Sequence, residues 1–186
     1  MNMLEIGYEI KGTAAYMVGS EDTEPGAGWP YANILASLVK VPGMAPLDLA
    51  KLIVTEYGKW YRKTREAATQ SALDLTRIQP VAEAVNGLAD VLLADLTAVA
   101  GAVSLSRDKA QKFEMPEYLD LGDFCRQLRL RLPQNPLVVY AAGRVLSTLA
   151  PAAGGGFVVQ NAGIQFQAGS FLNHVILVVR RLIAGL

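Results

Sequence analysis

The residues best suited to chemistry lie close together near the start of the chain, within residues 20–31. This stretch combines acidic side chains, aromatic rings and turn-forming glycines and prolines. Its chemically versatile members are Ser20, Glu21, Asp22, Glu24, Trp29 and Tyr31. Glycine and proline set the turns, and the aromatic rings give the loop a surface to pack on. The pattern predicts a ligand-binding loop, and the alternative is an ordinary acidic loop that is exposed to solvent.

The elements around this loop determine what it can do. A short apolar run predicts a buried strand over Thr13–Gly19, directly before the loop. A helical pattern over Tyr31–Lys40 follows it, with Pro30 suited to the start of a helix. Open α/β sheets bind their ligands in loops at the carboxyl ends of strands. The sequence therefore predicts an α/β fold that places the acidic loop at a sheet edge.

The remaining pattern predicts further helices and strands. Apolar residues recur every three or four positions from Pro80 to Val103, which predicts one long continuous helix. Alternation predicts a hairpin over Phe157–Gln167 with its turn at 161–163. The other predictions are helices over Met1–Lys11, from Pro46 to about Lys63, over Phe124–Leu132 and over Leu137–Leu149, and a strand over Thr69–Thr76 in which Asp74 faces outward.

Composition narrows the class of protein. The 186 residues suffice for one domain with a core, and 52% hydrophobic against 18% charged residues argues against disorder. The formal net charge is zero, so no electrostatic attraction to nucleic acid or to an anionic membrane is expected. The sequence has no uninterrupted run of 18 apolar residues, so no membrane-spanning helix is predicted. The first residues show no signal-peptide pattern.

A Cys–His catalytic pair within this sequence would need Cys125 and His174, since each is the sole residue of its type. Cys125 shares a helical face with Leu121 and Leu128, which predicts a buried thiol. His174 lies in an apolar run and is predicted to be structural. No catalytic residue is therefore assigned within this chain.

Several segments resemble clostripain-like cysteine peptidases, a family of bacterial caspase-fold enzymes, over roughly the first 130 residues. They are Met1–Ile10, Tyr16–Glu21, Glu24–Tyr31, Ser71–Leu75, Ala110–Phe113 and Tyr118–Phe124. The resemblance implies a caspase-like three-layer α-β-α sandwich, incomplete here, with the downstream part of the sheet and several helices. Residues 1–132 would form the core portion, and residues 133–186 a helix and strands of the same domain.

The resemblance also implies a function. The family's nucleophile belongs to an Asp-x-Cys motif at a strand end, just before the position equivalent to Met1, and its histidine lies further upstream. This chain is therefore expected to be the downstream portion of a truncated endopeptidase, inactive alone. The loop would help to bind an arginine or lysine side chain of the substrate through Ser20, Glu21, Glu24 and Trp29. The family often has an acidic residue where this sequence has Ala27.

Partners and cofactors follow from the same resemblance. The expected partners are a peptide substrate and the upstream peptidase segment. No cofactor is expected, although some family members use calcium, and Asp120 and Asp123 are either metal ligands or helix caps. The parent family is often secreted or held at the cell envelope. Two alternatives stay open: a non-catalytic binding or scaffold module with the same fold, and an unrelated α/β protein.

Overall fold

The structure is a computed structural model that describes residues 2–113, 115–150, 155–164 and 176–178. Its helices are α1 Leu4–Ile10, α2 Tyr31–Lys40, α3 Pro46–Thr64, α4 Ile78–Ala94, α5 Leu96–Lys109, α6 Leu121–Arg131 and α7 Pro136–Leu149. Its strands are β1 Tyr16–Gly19, β2 Ala68–Asp74, β3 Tyr118–Asp120, β4 Val158–Ile164 and β5 Ile176–Val178. The predicted roles of Met1 and His174 lie outside the described residues.

Strand β2 is the centre of a three-stranded antiparallel sheet with the order β1-β2-β4. Gly19 at the end of β1 pairs with Ser71, and Ala68 at the start of β2 pairs with Ile164 of β4. Every residue of β2 is buried. A second, two-stranded antiparallel sheet joins β3 to β5.

Helices cover both faces of the three-stranded sheet. On one face, Ala72 of β2 packs with Ala50 and Val54 of α3. On the other face, Leu73 belongs to the main core cluster, which is built largely from α4, α6 and α7. Because side chains alternate along a strand, neighbouring residues of β2 contact different helical layers. This is the predicted α-β-α layering.

Helices α2 and α3 confirm the sequence prediction because their signals are local. Helix α2 has the predicted bounds, and α3 begins at Pro46, which occupies a first-turn position that needs no backbone donor. Arg65 ends α3 in the left-handed conformation with φ 62°. Helix α3 turns Val54, Tyr57 and Tyr61 toward the sheet, and all three are fully buried.

The predicted long helix from Pro80 to Val103 is wrong, since the chain forms two helices, α4 and α5, that meet at Asp95. Asp95 adopts φ −136° and ψ 46°, which is not helical. The apolar spacing continues across the break because Leu92 and Val99, on either side, are buried in the same cluster. Hydrophobic periodicity reports which residues face the core, and it does not report a bend in the backbone between them.

The predicted hairpin with its turn at 161–163 is also wrong, because those residues lie inside the continuous strand β4 and pair with residues 69–71 of β2. Pairing with a distant strand satisfies the backbone groups that a local turn would have used. The prediction that Asp74 faces outward is wrong, because its side chain is buried. The Asp74 carboxylate accepts hydrogen bonds from Thr76 and Arg77, which satisfy it in the interior. Helix α1 and strand β1 are shorter than predicted.

No helix within the described ranges has the length and apolar character that crossing a membrane requires.

Candidate functional site

The acidic loop, residues 20–30, leaves the end of β1 and is fixed at its base by the start of β2. The hydroxyls of Ser20 and Thr69 lie 2.8 Å apart. The Thr69 hydroxyl also accepts from the backbone N–H of Glu21 at 3.2 Å and of Asp22 at 3.3 Å. Ser20 and Glu21 are almost fully buried, with relative exposures of 2% and 1%. The loop therefore begins as part of the protein interior.

Asn2 joins the segment before α1 to this base. Its side-chain NH₂ group donates to the Gly19 carbonyl at 3.1 Å, to the Ser71 carbonyl at 3.0 Å and to the Ser71 hydroxyl at 2.7 Å. The Ser71 hydroxyl in turn donates to the carboxylate of Glu21. The backbone N–H of Asn2 donates to the Ser20 carbonyl at 2.7 Å. The segment of Asn2 and strand β2 together thus hold Glu21 in one orientation.

The far end of the loop is held by helix α3. The Tyr61 hydroxyl donates to the Gly28 carbonyl at 2.6 Å. Gly28 has φ +67°, a backbone conformation that residues with a side chain rarely adopt. The next residue, Trp29, donates its indole Nε1–H to the carboxylate of Glu24 at 2.9 Å. Gly28 and Tyr61 therefore set the position of the Trp29–Glu24 pair.

Two buried tyrosines lie against this end of the loop. The rings of Tyr57 and Tyr61 are 4.5 Å apart, and the half-buried Trp29 packs on their cluster. Burial raises the pKa of Tyr57 well above its ordinary value, and the negative charges of Glu24 and Glu21 raise it further. Burial also raises the pKa of Tyr61. Both phenols therefore stay protonated at neutral pH.

The four predicted substrate-binding residues belong to one continuous structure. Ser20 and Glu21 form its buried base, and Glu24 and Trp29 form its half-buried outer part. Sequence reasoning missed the supporting residues Asn2, Thr69, Ser71 and Tyr61. The signal that could have found two of them is the polar run Thr69-Gln70-Ser71 inside an otherwise apolar strand.

Cys125 does not fit the role of a nucleophile. The letters Asp123-Phe124-Cys125 spell Asp-x-Cys, but they lie on helix α6 rather than at a strand end. The Cys125 side chain is fully buried, and burial raises the pKa of its thiol to about 12. A thiolate is the reactive form, so this thiol is inert at neutral pH. The prediction of a buried structural cysteine is confirmed.

The Asp120 and Asp123 side chains are engaged in structural contacts. Asp120 is the N-cap of α6 and accepts from the Asp123 N–H. Asp123 accepts from the Gln111 N–H at 2.8 Å, and Arg126 lies within 3.6 Å of both carboxylates. Within the described part of the chain, no three His, Cys, Asp or Glu side chains are grouped to hold a metal ion. Asp120 therefore has the helix-capping role, one of the two roles that the sequence left open for these residues.

A sheet covered on both faces by helices, with an acidic loop at a strand end, defines a three-layer α-β-α protein, the class that includes the caspase-like fold. Comparison with known families agrees. The Clostripain family of peptidases matches residues 1–130, which is most of this chain. The chain therefore belongs to the Clostripain family, and the alternative of an unrelated α/β protein is wrong.

Solved structures show the same fold at low sequence identity. A clostripain from Bacteroides thetaiotaomicron ATCC 29148, in complex with the peptide inhibitor BTN-VLTK-AOMK, has a TM-score of 0.65 at 14% identity, over 96% of this chain and 74% of that chain. An inactive zymogen C11 protease from Parabacteroides distasonis has a TM-score of 0.63 at 18% identity, over 100% of this chain. A B. fragilis cysteine protease has a TM-score of 0.60 at 13% identity, over 96% of this chain and 74% of that chain.

The chain spans about half of the Parabacteroides protein, 51% of its length. A search of curated proteins finds no match.

Proposed function

We propose that this chain forms the substrate-binding part of a clostripain-like cysteine endopeptidase that cleaves after arginine or lysine, and that the 186-residue polypeptide alone is inactive. The observation that carries the proposal is the acidic loop of this member of the Clostripain family. Asn2, Ser71 and Tyr61 hold that loop at the end of a strand. A preorganised carboxylate is what recognition of a cationic side chain requires.

Each of the four loop residues has a proposed role. Glu24 pairs with the guanidinium or ammonium group, because its carboxylate is half-buried and its present partner is a neutral indole. In the free protein, Trp29 holds that carboxylate in position through its indole N–H. Ser20 and Glu21 fix the base of the loop, and Glu21 adds negative charge beneath it. The peptide part of the inhibitor bound to the Bacteroides relative, VLTK, ends in lysine, which supports a basic side chain at this position.

Two properties of Cys125 support the proposed inactivity of the chain alone. It is the sole cysteine in the sequence, and its buried thiol has a raised pKa. In the intact enzyme, we propose that a cysteine and a histidine from an upstream segment perform the nucleophilic attack and the proton transfer. Residues of this chain then bind and orient the peptide.

A binding experiment tests the proposed specificity. The probes are Nα-acetyl-arginine N-methylamide and the matching citrulline amide, which has the same shape without the charge. We expect NMR titration of the full chain to show binding of the arginine probe only. Glu24→Gln should weaken that binding by about tenfold, the effect of losing one charged hydrogen bond. Asp22→Asn makes the same charge change on the same loop and should have a much smaller effect.

Equal binding of the two probes, or equal effects of the two substitutions, would rule out the proposed recognition by Glu24. A turnover assay with arginyl and lysyl peptides tests inactivity. Thiol-dependent cleavage that survives Cys125→Ala would contradict the proposal that the nucleophile lies in another segment and would point to a different chemistry. Cleavage that disappears with Cys125→Ala would identify Cys125 as the nucleophile.

A further inference from the structure

Helix α3 places a polar side chain beneath the acidic loop that the site described so far does not use. Tyr57 is fully buried, and its hydroxyl has no hydrogen-bond partner among the described residues. Its ring contacts Tyr61, whose own hydroxyl is bonded to the loop at Gly28. A buried hydroxyl without a partner is costly, and folded interiors leave few of them.

A second unpaired group lies in the same layer. Gln70 of β2 is fully buried, and neither atom of its side-chain amide has a partner in the described ranges. The residues two positions before and after it, Ala68 and Ala72, belong to the same buried clusters as Tyr57 and Val54 of α3 respectively. Since side chains two apart share a face of a strand, Gln70 also lies under α3. Unused hydrogen-bonding capacity is therefore concentrated between α3 and β2.

The surroundings of Tyr57 indicate which kind of ligand its unpaired hydroxyl could bind. Trp29 links Tyr57 to the loop carboxylate, because it packs on the Tyr57 cluster and donates to Glu24 at 2.9 Å. The negative charges of Glu24 and Glu21 also raise the pKa of the Tyr57 phenol. A neutral phenol can donate its proton to a carboxylate and accept a hydrogen bond from a cationic N–H at the same time. Guanidinium has five N–H donors in a planar fork, more than one carboxylate can accept.

We propose that Tyr57 is a specificity-determining residue whose hydroxyl accepts a hydrogen bond from the cationic group held by Glu24. This inference rests on the proposed function of the loop. In the free protein Trp29 packs on the tyrosine cluster and donates to Glu24. The cationic group takes the place of the Trp29 indole at Glu24, and the half-buried Trp29 moves to admit it to Tyr57.

The test uses the full chain and the same arginine and citrulline probes. Tyr57→Phe removes only the hydroxyl. We expect it to weaken arginine binding by about five- to tenfold, which corresponds to the net contribution of one typical hydrogen bond. The unfolding temperature should not fall, because the hydroxyl has no partner to lose in the free protein. In the unmodified chain, the arginine probe should shift the indole Nε1–H resonance of Trp29.

The outcomes separate this inference from the proposed function. If Glu24→Gln weakens arginine binding and Tyr57→Phe does not, the role of Tyr57 is wrong and the recognition by Glu24 stands. If the unmodified chain does not distinguish arginine from citrulline, both are wrong. Should Tyr57→Phe lower the unfolding temperature or fail to fold, spectra of the chain labelled with ¹³C at tyrosine Cζ decide. A Tyr57 resonance that the arginine probe leaves unmoved overturns the proposal.

Discussion

Tyr61→Phe tests how helix α3 supports the acidic loop. The substitution deletes one hydroxyl and keeps a ring that is fully buried. The deleted hydroxyl donates to the Gly28 carbonyl at 2.6 Å. Because the ring and its contacts stay, the change in the free energy of unfolding reports this hydrogen bond rather than lost apolar contact.

The expected magnitude follows from where the carbonyl lies. Gly28 is half-buried, so water can replace part of the lost bond at its carbonyl oxygen. The loss should therefore be about 1 kcal/mol, the net value of a typical hydrogen bond, rather than the larger cost of a fully buried orphan. For a chain of this size, about 1 kcal/mol corresponds to a fall in unfolding temperature of roughly 2–4 °C.

The matched control is Tyr57→Phe, the same chemical change one helical turn earlier. Tyr57 is equally buried, but its hydroxyl has no partner among the described residues, so its unfolding temperature should stay level or rise. Differential scanning calorimetry of the two variants under identical conditions gives the comparison. Equal unfolding temperatures for the unmodified chain and Tyr61→Phe, or equal losses in both variants, would refute the anchoring role of Tyr61.

Three further predictions concern other parts of the molecule. A Cβ added at Gly58 would lie 3.0 Å from the Cβ of Ala162. Gly58→Ala should therefore lower the free energy of unfolding by about 1 kcal/mol, although alanine has the better helix propensity. Adding Ala162→Gly should recover part of the lost stability, as measured by urea denaturation. Burial raises the Cys125 thiol pKa from 9.0 to about 12, so between these pH values the folded chain keeps a proton that the unfolded chain loses. The free energy of unfolding should therefore fall as the pH rises from 9.0 to about 12, and it should fall less steeply in Cys125→Ala. Iodoacetamide should not label the folded chain at neutral pH. Ala27→Asp should tighten binding of the arginine probe by several-fold in the NMR titration, because Ala27 is exposed on the same loop and a carboxylate there would attract the cation. The uncharged control Ala27→Asn should leave the affinity unchanged.

The parts of the fold that sequence predicted are those with local causes. Pro46 begins α3 and Asp120 caps α6, and both signals lie within a few residues of what they control. The acidic loop is likewise one continuous stretch of chain, and the substrate-binding role of its four residues stays a prediction. Their supports could not be predicted, because the Ser20–Thr69 bond spans 49 positions and the Asn2–Ser71 bond spans 69. Such contacts exist only once the sheet has formed.

The errors have a related cause. The helix predicted from Pro80 to Val103 was too long because α4 and α5 bury residues in the same core, so the apolar spacing continues through Asp95. Hydrophobic periodicity could not show that the backbone changes direction there. Asn161 and Gly163 have the composition of a turn, but β2 offers them a full set of strand partners. In both places tertiary packing overrides a local preference.

The attachment points of the acidic loop have a practical consequence for redesign. Its first end is tied through Ser20 and Glu21 to β2, and its second end is tied through the backbone carbonyl of Gly28 to Tyr61. Neither tie uses a side chain from residues 22–27. That segment can therefore be grafted or randomised as a cassette, so that libraries with altered charge and shape are displayed on an unchanged frame.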